Sequence, residues 1–258
     1  MTDRVRAWHP GVAGVREVLH ATFAEHAYPV HTHDAWTVLL VDRGAVRYSL
    51  DRAHHHAEPA TLTLLPPQVP HDGRSAFPGK AFHKRVVYLE DGWLPAAAVD
   101  AATRTPTLTD LRAVEATWRI HAALESPGDV LAVESGLVEL RELVLSHLVG
   151  ERDTTPDAPL ARRLRELLDD RLAETVTLAD AGRALSAHPS HLVRVFSAAY
   201  GISPHRYVIG RRVDRARRLL LGGHSPAQAA VEAGFHDQAH LTRHFRKVLG
   251  TTPGTFAA

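Results

Sequence analysis

Three histidines near the front of the chain have the type and spacing to do chemistry: His31 and His33 in VHTHD, and His71 in LLPPQVPHDG. Residues i and i+2 of a strand share a face, so the first two imidazoles lie side by side, with His71 at the mouth of a later strand. The chain has no cysteine, which leaves any metal site to His, Asp and Glu. Three imidazoles suit zinc, nickel or copper with one coordination position open. The same trio also reads as the hydrogen-bonding groups of an organic-ligand pocket, or as residues that only hold the sheet together. Trp36, Arg85 and Tyr88 complete a candidate effector-binding set with His31, His33 and His71. Trp36 offers a stacking surface and Arg85 a partner for a carboxylate or phosphate. Each has a plainer reading too, Trp36 as core and Arg85 as the partner of a nearby acid. The triplet His54-His55-His56 reads as a solvated hairpin turn.

A second constellation lies at the other end of the chain, where the text repeats itself at an offset of 49 residues. Ala181, His191, Leu192, Arg194, Phe196, Gly201 and Pro204 recur as Ala230, His240, Leu241, Arg243, Phe245, Gly250 and Pro253, and Tyr207 is matched by Phe256. Each copy has a short helix, a turn (SAH or GFH) and a second helix, which is helix–turn–helix geometry. Leu192 with Phe196, and Leu241 with Phe245, stand at i and i+4 and so share a buried stripe, leaving Arg194 and Arg243 on another face. Arginine can read a guanine edge bidentately, or it can clamp a phosphate.

The net charge of +1 hides an asymmetry. Residues 1–159 carry 15 basic and 21 acidic side chains, whereas residues 160–258 carry 15 and 8. A basic module for a polyanion is therefore joined to an acidic module with another task. The chain is 45% hydrophobic and 23% charged, which excludes disorder over most of its length. No run of about 18 apolar residues and no apolar leader is present, so the expectation is a cytoplasmic protein with no membrane partner.

The elements that must position these residues follow from periodicity. VREVLHATF, AWTVLLV, AVRYSL, ATLTLL and FHKRVVYL read as strands of an antiparallel sandwich or barrel. Between Thr109 and Leu148 the period becomes helical, with Leu111, Val114 and Trp118 on one stripe and Val133, Leu137, Leu140 and Val144 on the next. From Leu160 onward the text is helical, with N-cap signals at Thr177, Ser203-Pro204 and Ser225-Pro226. The predicted organisation is an α+β chain: a strand-rich domain with two following helices over 1–150, a linker over 151–159 and a basic, all-α domain with the two helix–turn–helix hairpins over 160–258.

The segment AQAAVEAGFHDQAHLTRHFRKVLGTTPGTF resembles the signature of AraC/XylS-family transcription regulators. The resemblance implies two helix–turn–helix units joined by a long helix, here roughly Pro204 to Leu221, each inserting a recognition helix into the major groove of operator DNA. It assigns Pro189, Ser190, Val193 and Arg194 to the first recognition helix, and Gln238, Ala239, His240, Thr242 and Arg243 to the second. Arg211, Arg212, Arg246 and Lys247 are expected on phosphates. His188 and His236 stand where the family often has a serine N-cap. The His-x-His and later Pro-x3-His pattern resembles that family's cupin-like effector domain, a jelly roll followed by two helices through which the protein would form a homodimer. Metal-binding cupins place a Glu a few residues after the paired histidines; here those places are Ala35, Trp36, Thr37 and Val38. The resemblance implies a transcription regulator controlled by a small-molecule effector, with double-stranded promoter DNA as partner and RNA polymerase as a further one if it activates. Two rivals stand beside this reading: a metal-dependent cupin oxygenase or isomerase with an accessory helical tail, and a constitutive DNA-binding protein whose barrel only dimerises.

Overall fold

The computed structural model describes residues 3–24, 27–126, 128–149, 157–249 and 251–256. The chain divides into two compact units, Met1–His121 with Leu140–Arg152, and Ala122–Glu139 with Asp153–Ala258. Most of the expected linker lies outside the described residues; its last two, Ala158 and Pro159, instead form the first turn of a helix capped by Asp157. Among the described residues no helix is long and apolar enough to cross a membrane.

The first unit contains β1 (Arg4–Trp8), β2 (Val15–Phe23), β3 (Tyr28–His31), β4 (Trp36–Arg43), β5 (Val46–Leu50), β6 (Ala53–Ala57), β7 (Leu62–Leu65), β8 (His71–Ser75), β9 (Phe82–Leu89), α1 (Ala98–Arg104) and β10 (Thr107–Leu108). These strands form a six-stranded sheet ordered β1-β2-β9-β4-β7-β10 and a four-stranded sheet ordered β3-β8-β5-β6. Phe23, Leu39, Phe82 and Val86 of the first sheet pack on Val46, Tyr48 and Leu50 of the second. The five strands expected from the sequence are β2, β4, β5, β7 and β9. The His54-His55-His56 triplet lies within β6, a correction to the turn expected there. His55 stacks on Tyr48 across the register pair, which makes room for histidine on a strand with little apolar content.

Two helices follow, α2 (Leu111–Leu124) and α3 (Val130–Val149). Val114 is buried, but Leu111 and Trp118 of the same expected stripe are exposed.

The second unit is helical: α4 (Ala158–Asp170), α5 (Leu178–Leu185), α6 (Pro189–Tyr200), α7 (Pro204–Leu221), α8 (Pro226–Ala233), α9 (Gln238–Leu249) and α10 (Pro253–Phe256). The α5–α6 and α8–α9 hairpins are the two copies of the repeat. Thr177 with Asp180, and Ser225 with Gln228, form capping boxes that start α5 and α8. Leu192, Phe196, Leu241 and Phe245 are fully buried, as the i, i+4 spacing requires. Gly234 ends α8 at φ +90°, where a Cβ would stand 2.6 Å from the Leu172 carbonyl oxygen, so only glycine fits both the conformation and the space.

Candidate functional site: a histidine pocket and two recognition helices

The three histidines converge. His31 and His71 are register partners on β3 and β8, and their rings are 4.5 Å apart. His33 lies just beyond β3, and its Nε2 is 3.2 Å from His71 Nε2. One ring nitrogen from each of the three lies within 4.8 Å of the others. His31 Nδ1 donates to the Pro29 carbonyl at 2.8 Å and His71 Nδ1 to the Val69 carbonyl at 2.9 Å. A carbonyl only accepts, so both rings carry their proton on Nδ1 and present a lone pair at Nε2. His33 Nδ1 meets the Thr37 hydroxyl at 3.2 Å, a partner that accepts or donates.

Burial, reinforced by the neighbouring His71 and His31, pushes the His33 imidazolium down to about 4, and burial likewise lowers His71. The trio opens on a 50 Å³ cavity between the sheets, lined also by Tyr28, Tyr48, Lys84 and Tyr88. Burial brings the Lys84 ammonium down to about 8, and its Nζ sits over the Tyr28 ring at 4.1 Å. The cavity thus combines ring nitrogens, phenols and one amine, a lining able to hold a small polar or anionic molecule.

Two residues of the expected effector set lie elsewhere. Trp36 is buried in the core, where its Nε1 donates to the Asp91 carbonyl at 3.0 Å and its ring meets Trp93 edge-on. Arg85 pairs with Asp42 at 3.0 Å and covers the Trp118 ring at 5.0 Å. The reason is strand parity: Tyr88 pairs with Thr37, while Trp36 and Arg85 occupy the alternate positions of β4 and β9, facing away from the pocket. The same parity places Lys84, unmarked in the sequence reading, inside. Its even spacing from Tyr88 was the available signal.

On the helical unit, α6 starts with Pro189 at its first turn, and His188 does cap it, its Nδ1 accepting from the Ser190 amide at 3.3 Å. The α9 start is capped instead by Asp237, whose carboxylate accepts from the His240 amide at 2.7 Å. Pro189, Ser190 and Arg194 are half-buried on the first recognition helix. Gln238, Ala239, Thr242, Arg243 and Arg246 line a shallow groove on the second, with Lys247 exposed next to it. Three expectations are overturned. Val193 is buried, because it packs in the α4–α6 core rather than facing outward. His240 is buried, its Nε2 donating to Asp129 at 2.8 Å. Arg212 is buried as well and donates to the carbonyls of Leu172 and Glu174 at 2.7 Å each, which ties α7 to the α4–α5 turn and withdraws it from any phosphate. Arg211 is half-exposed and paired with Asp169 at 3.0 Å.

Asp129, in the turn before α3, was not anticipated. Besides His240 it accepts from Arg243 Nη2, whose other amino group meets Ser126. His244 Nε2 stands 3.4 Å and His205 Nε2 3.9 Å from the same Asp129 oxygen that His240 binds. Burial alone would raise this carboxyl, but hydrogen bonds and charge from His240 and His244 outweigh it and hold Asp129 well below the usual carboxylate range. Burial pushes His205 down to about 4, and its Nε2 has no hydrogen-bond partner among the described residues. Gly128, at φ +87°, lets the turn approach: a Cβ there would lie 2.6 Å from His236 Cβ.

Two family models match the chain. Residues 14–140 match the family described as an AraC-like ligand binding domain, and residues 181–258 match a helix-turn-helix domain. Over 230 residues the chain is 26% identical to YbfI of Bacillus subtilis, an uncharacterized HTH-type transcriptional regulator, covering 83% of this chain and 81% of that one. It is 25% identical over 221 residues to the arabinose operon regulatory protein of Salmonella typhimurium, covering 78% and 75%. It is also 32% identical over 92 residues to the virulence regulon transcriptional activator VirF of Yersinia enterocolitica, covering 35% and 34%.

Proposed function

Because this chain belongs to the AraC family of transcriptional regulators, with a ligand-binding domain and a helix-turn-helix DNA-binding domain, we propose that a small molecule held in the Lys84–histidine cavity controls which promoter geometry α6 and α9 engage. The observation that carries the DNA half is the duplicated, separately capped hairpin: two second helices with equivalent buried stripes, joined by the 18-residue α7. Pro189, Ser190 and Arg194 form the first reading edge, and Gln238, Ala239, Thr242 and Arg243 the second. Arg246 and Lys247 serve as phosphate contacts that position without specifying. Arg243 is already bonded to Asp129, so reading a base exchanges one polar partner for another.

Effector binding acts as a population shift between conformations of different operator affinity. The protein works in the cytoplasm as a homodimer formed through its first domain, contacts RNA polymerase where it activates, and catalyses no reaction. Retention of fragmented host genomic DNA on the purified protein, followed by sequencing, tests the reading. Enriched sites should hold two short subsites about one helical turn apart, and no enrichment would return the weight to a cupin enzyme.

A further inference from the structure

The barrel trio has a feature that an organic-ligand pocket does not need. His31 and His71 are locked by backbone carbonyls into the tautomer that directs Nε2 lone pairs inward. Metal-ligating histidines have this arrangement, in which the second ring nitrogen donates to a carbonyl and fixes the orientation of the first. The third ring adapts. With the Thr37 hydroxyl donating to His33 Nδ1, His33 keeps its proton on Nε2 and shares it with His71; with the hydroxyl turned to accept, His33 moves its proton to Nδ1 and frees its own Nε2 lone pair. That exchange changes no net charge. The 3.2 Å between His33 Nε2 and His71 Nε2 also suits an ion, since two nitrogens of a tetrahedral site with bonds near 2.0–2.1 Å stand roughly 3.3 Å apart.

We propose that His31, His33 and His71 bind one divalent transition-metal ion of the zinc, nickel and copper class, with Thr37 as the positioning residue that switches the His33 tautomer. Among the described residues that line the cavity the one carboxylate is Asp72, which is engaged by the Ser49 amide at 2.6 Å. The set is therefore three neutral imidazoles, the donor type this class of ion takes, and one coordination position faces the cavity. Lys84 lies in the same cavity, so that position takes an anion, such as hydroxide or an effector carboxylate. The inference deepens the reading of this cavity as the effector site, but it is tested with no effector and no DNA, so either can fail alone.

The full-length protein, stripped with a chelator, is titrated with Zn²⁺ by calorimetry and with Co²⁺ by visible absorption. The expected result is one ion per chain and tetrahedral-type cobalt bands. His71→Gln and His33→Gln should each weaken binding by about 100-fold or more, and Thr37→Val, which keeps all three ligands, by about 10–100-fold. Asp129→Asn, at the other histidine cluster, should leave the Zn²⁺ affinity unchanged. Absence of saturable binding in the stripped protein overturns the proposal, as does binding that survives both histidine variants or moves with Asp129. Unchanged affinity in Thr37→Val overturns the tautomer switch. Circular dichroism screens each variant for folding; if the His33 or His71 variant is unfolded, His31→Gln decides, with weakening by about 100-fold expected and unchanged affinity overturning the site.

Discussion

His31 and His71 give their Nδ1 protons to backbone carbonyls and leave Nε2 bare, whereas His240 accepts the His236 amide at Nδ1 and gives its Nε2 proton to Asp129. Both groups bring ligand-type atoms within 4.8 Å of one another. In the barrel the centre of the cluster holds lone pairs and no charge. In the helical unit it holds a buried carboxylate already satisfied by His240 and Arg243. Proximity of imidazoles alone therefore does not distinguish a set of free lone pairs from an ionic lock; the atom on the far side of each ring does.

The sharpest way to break this contrast is to remove the charge at the centre of the lock. Asp129→Ala leaves buried His240 and the Arg243 guanidinium without their acceptor and should cost about 3–5 kcal/mol in denaturant unfolding of the full chain. A loss under about 1 kcal/mol would show that the contacts in the second unit are not mutually dependent.

Acid should bear on both clusters next, because burial holds His205 in the lock and His33 in the barrel each down to about 4. His205 is depressed in the folded state to about 4 from an ordinary 6.5, so the unfolded chain binds its proton first. Stability from this group is full above pH 6.5 and is lost as pH falls toward 4, by on the order of 3 kcal/mol. His205→Gln should flatten part of that limb of a melting-temperature profile and leave the part that His33 contributes, and an unchanged limb would assign the acid sensitivity to the barrel.

On DNA the expected effects are smaller. Arg243→Ala should weaken cognate operator binding by about 1–3 kcal/mol and relax preference at one base position, which competition binding with substituted operators would read. Equal weakening on every sequence would make it a phosphate contact. Arg246→Ala should reduce the slope of log affinity against log salt by about 1. The smallest effect belongs to the barrel: with chelator present, His33→Gln perturbs the two hydrogen bonds to Thr37 and His71 but keeps a polar side chain there, and should cost about 1 kcal/mol in the same unfolding assay used for Asp129→Ala. A cost as large as that of Asp129→Ala would erase the contrast.

The division of labour, the duplicated hairpins and their starts were legible along the chain, because each rests on local physics. Caps at Thr177, Ser203 and Ser225 act within three residues, and the Leu–Phe stripes follow from helical period. The approach of His31, His33 and His71 was legible as a pattern, and the inward face of Tyr88 with it. Trp36 and Arg85 were misplaced by ignoring an alternation that the sequence does carry, since 85 and 88 differ by an odd number. Val193, Arg212 and His240 belong to a different category. Their side chains are buried by α4, by the carbonyls of Leu172 and Glu174, and by Asp129, partners 38 to 111 residues away for the two polar ones.

By itself, then, the order of residues determined period, caps, repeat and charge asymmetry, all of which act through neighbours a few positions away. Only tertiary structure decided which nitrogen of each histidine is bare, which arginine is free to meet a phosphate, and that a turn residue near the middle of the chain holds Arg243. Those outcomes depend on hydrogen-bond acceptors delivered from distant segments, whose positions exist only once the chain has folded.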